Sequence, residues 1–162
     1  MRIEFRALPT GPTLADMIGN TALMLGATLA YAQQDCRELM PFDEVRENLW
    51  RAAEFGLDAE MQWPDGRRSG GSRVPVTAVL DELLPMAAEA LRSAGVDAAD
   101  VSTALAPVTA RVERRMNGAR WQVATTAALE ARGSRAEALA GTVQLMADQG
   151  FDGPPLAEWT TP

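Results

Sequence analysis

The chain has no histidine and no lysine; all fifteen of its basic residues are arginines. These absences remove whole chemistries. No Ser-His-Asp or Cys-His nucleophilic site, histidine-bearing zinc site, Schiff-base lysine or phosphate-loop lysine can come from this sequence. Any catalysis must run on carboxylates, arginines and backbone groups. Cys36 is the only cysteine, so neither an intrachain disulfide nor a cysteine metal cluster can form, which fits a reducing cytoplasm. Positive charge is scarce as well. The net charge of -7 argues against a nucleic-acid partner, and an acidic substrate would need a local arginine site. Long apolar runs reduce to one uncharged stretch, Met17 to Ala32. As a helix it spans only about 24 Å, short of a bilayer core. It ends Ala30-Tyr31-Ala32, which mimics a signal-peptidase site, yet the residues before it balance Arg2 and Arg6 with Glu4 and Asp16 where a secretory signal wants a basic start. The expectation is a buried helix, with no membrane partner.

What remains is an ordinary globular mixture, 47% hydrophobic and 23% charged over 162 residues, and it reads as a single domain over 1–162. Residues 2–8 alternate strictly, with Ile3, Phe5 and Ala7 on one side and Arg2, Glu4 and Arg6 on the other, which predicts a short half-buried strand. Thr13 followed by Asp16 marks a helix start, and the helix is expected to run to about Leu39, buried on several sides. Pro41 and Asp43 open a second helix that Gly56 closes. An extended stretch from Leu57 to Trp63, a Pro64-Asp65-Gly66 turn and a glycine-rich loop suit a small hairpin. Val76, Val79, Leu80, Leu83, Leu84, Ala87 and Leu91 form the cleanest amphipathic stripe, closed by Gly95. A fourth helix from Asp97 to about Met116 should kink or split at Pro107. Helices over 119–131 and from Ser134 to Gly150 follow, the last opened by a Ser134–Glu137 capping box, and the tail from Phe151 should lie irregularly on the surface. The fold class is therefore α+β and predominantly helical. A lone strand with a charged face needs other strands, so the chain either self-associates through that edge as a homo-oligomer or is one portion of a larger fold.

Few residues pair up as candidates for chemistry. Glu4 and Arg6 share one strand face about 6.6 Å apart. A carboxylate beside a guanidinium can hold magnesium and the phosphate it accompanies, or it can be a solvated strand face. On the second helix, Trp50 can cover an adenine or simply pack, and Arg51 can reach an anion or stay solvated, with Asn48 and Glu47 beside them. Arg120 and Trp121 pose the same choice at the start of the fifth helix, where free backbone N–H groups favour anions. Arg111, Glu113, Arg114 and Arg115 read as a solvated helical face, and the eight methionines as core filler.

Two segments taken together resemble a known family. Arg2-Ile3-Glu4-Phe5-Arg6-Ala7-Leu8-Pro9, with Thr13 and Asp16 opening a long helix, is similar to the Glu-x-Arg strand and helix of glutamate-cysteine ligase-like carboxylate-amine ligases. Glu47-Asn48-Leu49-Trp50-Arg51-Ala52-Ala53-Glu54-Phe55-Gly56-Leu57-Asp58-Ala59 is similar to that family's Glu-Asn-x-Trp-x-Ala and Gly-Leu-x-Ala segment, at the right distance downstream. Gly118-Ala119-Arg120-Trp121-Gln122 and the closing helix resemble the carboxy-terminal part of a bacterial branch. The resemblance covers nearly the whole chain and is thin between 64 and 115. It implies a glutamine-synthetase-like fold and amide formation through an acyl phosphate, with ATP and magnesium as cofactors and small carboxylate and amine substrates. It further implies that Glu4 ligates magnesium, that Arg6 contacts ATP and the transferred phosphate as the catalytic arginine, and that Asn48, Trp50 and Arg51 lie near the rim of the cofactor-binding funnel. The family's amino-terminal half has no counterpart here. The resemblance thus implies the carboxy-terminal portion of a ligase, inactive until that half is supplied as a partner.

Overall fold

The computed structural model of the chain describes residues 11–32, 40–64 and 72–162; the strand expected over residues 2–8, with Glu4 and Arg6, lies outside them. Among the described residues there are six α-helices, α1 (Leu14–Ala32), α2 (Phe42–Phe55), α3 (Val76–Ser93), α4 (Ala98–Glu113), α5 (Gly118–Glu130) and α6 (Arg135–Gln149). Two short strands, β1 (Glu60–Trp63) and β2 (Ser72–Pro75), pair antiparallel, with Met61 opposite Val74 and Gln62 opposite Arg73. The protein is thus α+β and mostly helical, with the small hairpin in the place expected for it. A single 3-10 turn, Gly56–Asp58, takes the start of the segment expected to be extended. No helix among the described residues is long and apolar enough to cross a membrane.

The chain forms two compact units, one of Met1–Thr21 with Ala106–Pro162 and one of Ala22–Leu105. In the second unit Leu91, Val101 and Leu105 make the core, with Ala22, Leu23, Leu84 and Ala88 packed on it. Gly26 of α1 lies against Ala87 of α3 so closely that a Cβ there would sit 2.5 Å from the Ala87 carbonyl oxygen. Only hydrogen fits at that crossing. Gly95 closes α3 as the sequence predicts: at φ 93° it lets Val96 donate to the Leu91 carbonyl and Gly95 to that of Arg92, the two bonds of a Schellman ending.

Trp121, Leu156 and Trp159 form the core of the first unit, with Met116, Leu145 and Met146 around them. Of the two outcomes expected at Pro107, a split is not seen, since α4 runs through it as one helix. The helix stops at Glu113 instead, again in a Schellman pattern, with Met116 donating to Arg111 and Arg115 to Val112. The left-handed position is taken by Arg115 at φ 50°, where glycine would be relaxed. Asn117 caps α5 by accepting from the Arg120 N–H. Ser134 and Glu137 make the expected reciprocal box at α6.

The tail after Phe151 is not a surface strap. Leu156, Ala157 and Trp159 are buried, and the Trp121 and Trp159 rings meet edge to face with centroids 4.9 Å apart. Burying two indoles recovers more apolar area than a helix turn of small residues could, which overrides the proline-rich composition. Along α1, expected to be buried on several sides, Leu14, Ile18, Leu25 and Leu29 stand exposed.

Candidate functional site

The segment Glu47 to Ala59, which carries the second motif, folds as the second half of α2, the 3-10 turn and the approach to β1. The Val76 N–H donates to the Ala59 carbonyl, and this bond sets the phase of the β1–β2 ladder. Counting along the register, the N–H and C=O of Gln62 point away from β2, toward an unpaired sheet edge. Asn48 fills that edge. Its Oδ1 accepts from the Gln62 N–H at 2.8 Å and its Nδ2 donates to the Gln62 carbonyl at 2.7 Å, so one buried amide stands in for a neighbouring strand. Arg51, one turn further along α2, donates from Nε to the Glu60 carbonyl, two residues back on the same edge, and its guanidinium lies 5.5 Å from the Phe55 ring centre. Glu47 pairs with Arg73 on β2, and Trp63 donates from its indole to Glu82 at 3.0 Å. The Glu47, Asn48 and Arg51 contacts bind the inward side of α2 to the hairpin through polar groups.

The outward side is apolar. Phe42 is 77% exposed, Trp50 68% and Leu49 56%, and Val45 and Ala53 are exposed with them. Asn48, Trp50 and Arg51 therefore share a helix without sharing a surface, since Asn48 and Arg51 engage β1 and the Trp50 ring faces solvent. Glu4 and Arg6 lie outside the described residues. Among the described residues no group of three or more histidine, cysteine, aspartate or glutamate side chains is placed to hold a metal ion.

A second polar centre, in the first unit, was not legible as such. Asp16 is fully buried at the start of α1; its Oδ2 accepts from the Thr13 hydroxyl at 2.8 Å and from the Leu156 N–H at 2.9 Å. Its Oδ1 lies 3.5 Å from Nε of Arg111, which also donates from Nη2 to Asn20 and from Nε to the Pro107 carbonyl. Burial pushes the Arg111 guanidinium below its ordinary pKa, and the Asp16 carboxylate opposes the shift. Arg111 is thus no part of a solvated face. Glu113, Arg114 and Arg115 are exposed, as a solvated face requires, and Arg114 also donates to the Ala157 carbonyl at 2.6 Å. The Thr13–Asp16 spacing signals a helix cap, but nothing in the sequence signals that the same carboxylate also receives the tail and an arginine from α4. Trp121, the other aromatic candidate, is core: it is buried and donates from its indole to the Thr160 carbonyl at 3.2 Å. The Arg120 N–H is taken by Asn117, and its guanidinium donates to the Arg115 carbonyl.

A scan against protein-family models, a search of curated proteins and a search of solved structures each found no match to this chain.

Proposed function

We propose that the chain is a portion of an ATP-dependent carboxylate-amine ligase of the glutamate-cysteine ligase type, acting in the cytoplasm and inactive until the rest of the fold is supplied. The observation that carries this reading is the ordered pair of motifs, Glu4-x-Arg6 before a long helix and Glu47-Asn48-x-Trp50 running into Gly56-Leu57-x-Ala59. The apolar outer face of α2 supports the second clause, because a helix that turns its large side chains to water is one whose partner is elsewhere. Magnesium and ATP belong to the reading through Glu4 and Arg6. The described residues hold no carboxylate cluster, and in this reading further metal ligands come from the missing half.

The test is ADP release with glutamate and a series of amine donors. The purified chain should give none, and turnover by it alone would contradict the proposal. Complemented with an amino-terminal ligase half, activity should appear, and Glu4→Gln should weaken magnesium-ATP binding.

A second reading is a non-catalytic helical module that docks a partner through a strand edge. One observation favours it: the Asn48 amide and the Arg51 guanidinium are engaged by the backbone of β1, which gives both a structural duty. Under that reading Glu4→Gln leaves nucleotide binding unchanged.

A further inference from the structure

We infer that the outer face of α2 seats an amphipathic helix of a different polypeptide, one whose apolar stripe is flanked by arginine or lysine. This holds whichever of the two readings above is correct, and it concerns a helix face distinct from any strand edge. The argument starts from orientation. A surface helix ordinarily turns its apolar stripe inward. In α2 the inward side carries Glu47, Asn48 and Arg51, fixed to the hairpin, while Phe42, Val45, Leu49 and Ala53 line the outside at spacings of three, four and four. Rotating the helix would break the two Asn48 bonds to Gln62, so this orientation is set by the hairpin. From Phe42 to Ala53 the stripe runs about 16 Å, enough for three turns of a partner helix.

Charge selects the partner. Asp43 and Glu54 are eleven positions apart, close to three full turns, and so lie on the same flank, with Trp50 between them seven positions after Asp43. Both carboxylates are exposed. On the apolar side of this flank α2 carries Arg46, which pairs with Asp43 at 2.9 Å in an exposed ion pair of small value. An exposed indole between two carboxylates suits a guanidinium, stacked on the ring and attracted from both ends. A second copy of the chain does not suit it. Antiparallel pairing of two α2 faces brings the Asp43–Glu54 flank of one against the same flank of the other, four carboxylates with only the two Arg46 side chains to offset them, in a chain whose net charge is already -7.

The experiment titrates the full chain against two labelled helical peptides with the same leucine stripe, one flanked by arginine and one by glutamate, and reads fluorescence anisotropy. The arginine peptide should bind at least about tenfold more tightly than the glutamate peptide, a difference of about 1.4 kcal/mol. Leu49→Asp should weaken it by about the same factor or more, and raising salt should narrow the gap between peptides. Should Leu49→Asp perturb folding, the pair Asp43→Arg with Glu54→Arg decides: the preference should reverse toward the glutamate peptide. Equal binding of both peptides, no reversal by the charge swap, or a dimer by sedimentation that Leu49→Asp dissolves would each overturn the inference.

Discussion

The carboxy-terminal tail and helix α2 are opposites. The tail, Phe151 to Pro162, has almost no regular structure, yet it buries Leu156 and Trp159 and its polar groups are met on every side: the Leu156 N–H by Asp16, the Ala157 carbonyl by Arg114, the Thr160 carbonyl by Trp121, and the Trp159 indole by the Pro154 carbonyl. Helix α2 has regular structure throughout and turns its largest side chains to water. Regular secondary structure and burial are therefore separate properties. An irregular segment can be core if side chains supply the hydrogen bonds its backbone lacks, and a well-formed helix can be fixed to its neighbour by polar contacts while its large apolar side chains stay in water.

Five substitutions sharpen or break this contrast, each read by urea denaturation. Trp121→Ala removes the ring that Trp159 packs on and should cost about 4 kcal/mol; a loss below about 1 kcal/mol would mean the tail is not core. Asp16→Asn should cost about 3 kcal/mol, because the partly buried Arg111 loses its carboxylate and one acceptor of the tail is weakened. Asn48→Ala leaves the Gln62 N–H and C=O without partners and should cost about 1–2 kcal/mol, with the amides of β1 exchanging faster. Ser134→Ala should cost about 1 kcal/mol. The Ser134 N–H and hydroxyl hold the Glu137 carboxyl below its ordinary pKa. A depressed folded-state value means that this contribution is present above the unfolded carboxyl pKa and disappears as pH falls through the folded one. The difference between variant and parent should therefore narrow in acid without vanishing, because the Ser134 hydroxyl still accepts from the Glu137 N–H there. Leu49→Ser, on the outer face of α2, should change stability by no more than about 0.5 kcal/mol, although leucine to serine in a core is severe.

Much of the fold was legible in the sequence, and what was legible was local. The Val79–Ala87–Leu91 stripe of α3, its Gly95 stop, the Ser134–Glu137 box and the hairpin flanking residues 64–71 all follow from spacing within one or two turns. What was not legible depends on residues far apart in the chain. Pro155 and the residues around it say irregular, and only Trp121, on another helix, makes the region core. Arg111 looks solvated beside Glu113, Arg114 and Arg115, until Asp16 meets it from the far end of the sequence, while the exposed Arg114 still reaches the tail with one hydrogen bond. Pro107 looks like a break, but the helix continues through it where the burial of Val101, Leu105 and Val108 along it outweighs one missing hydrogen bond. The candidate site divided the same way. The Glu47–Ala59 motif was found and its helix placed, whereas the direction Asn48 and Trp50 face is decided by the edge of β1, which no helical periodicity encodes.

The central claim is that α2 shows its apolar face to water while the tail hides its own. Hydroxyl-radical footprinting of the purified chain, read residue by residue by mass spectrometry, measures this directly. Phe42, Leu49 and Trp50 should be modified rapidly, and Leu156, Trp121 and Trp159 should be protected. Protection of Trp50 and Leu49 to the level of Trp121 would contradict the account.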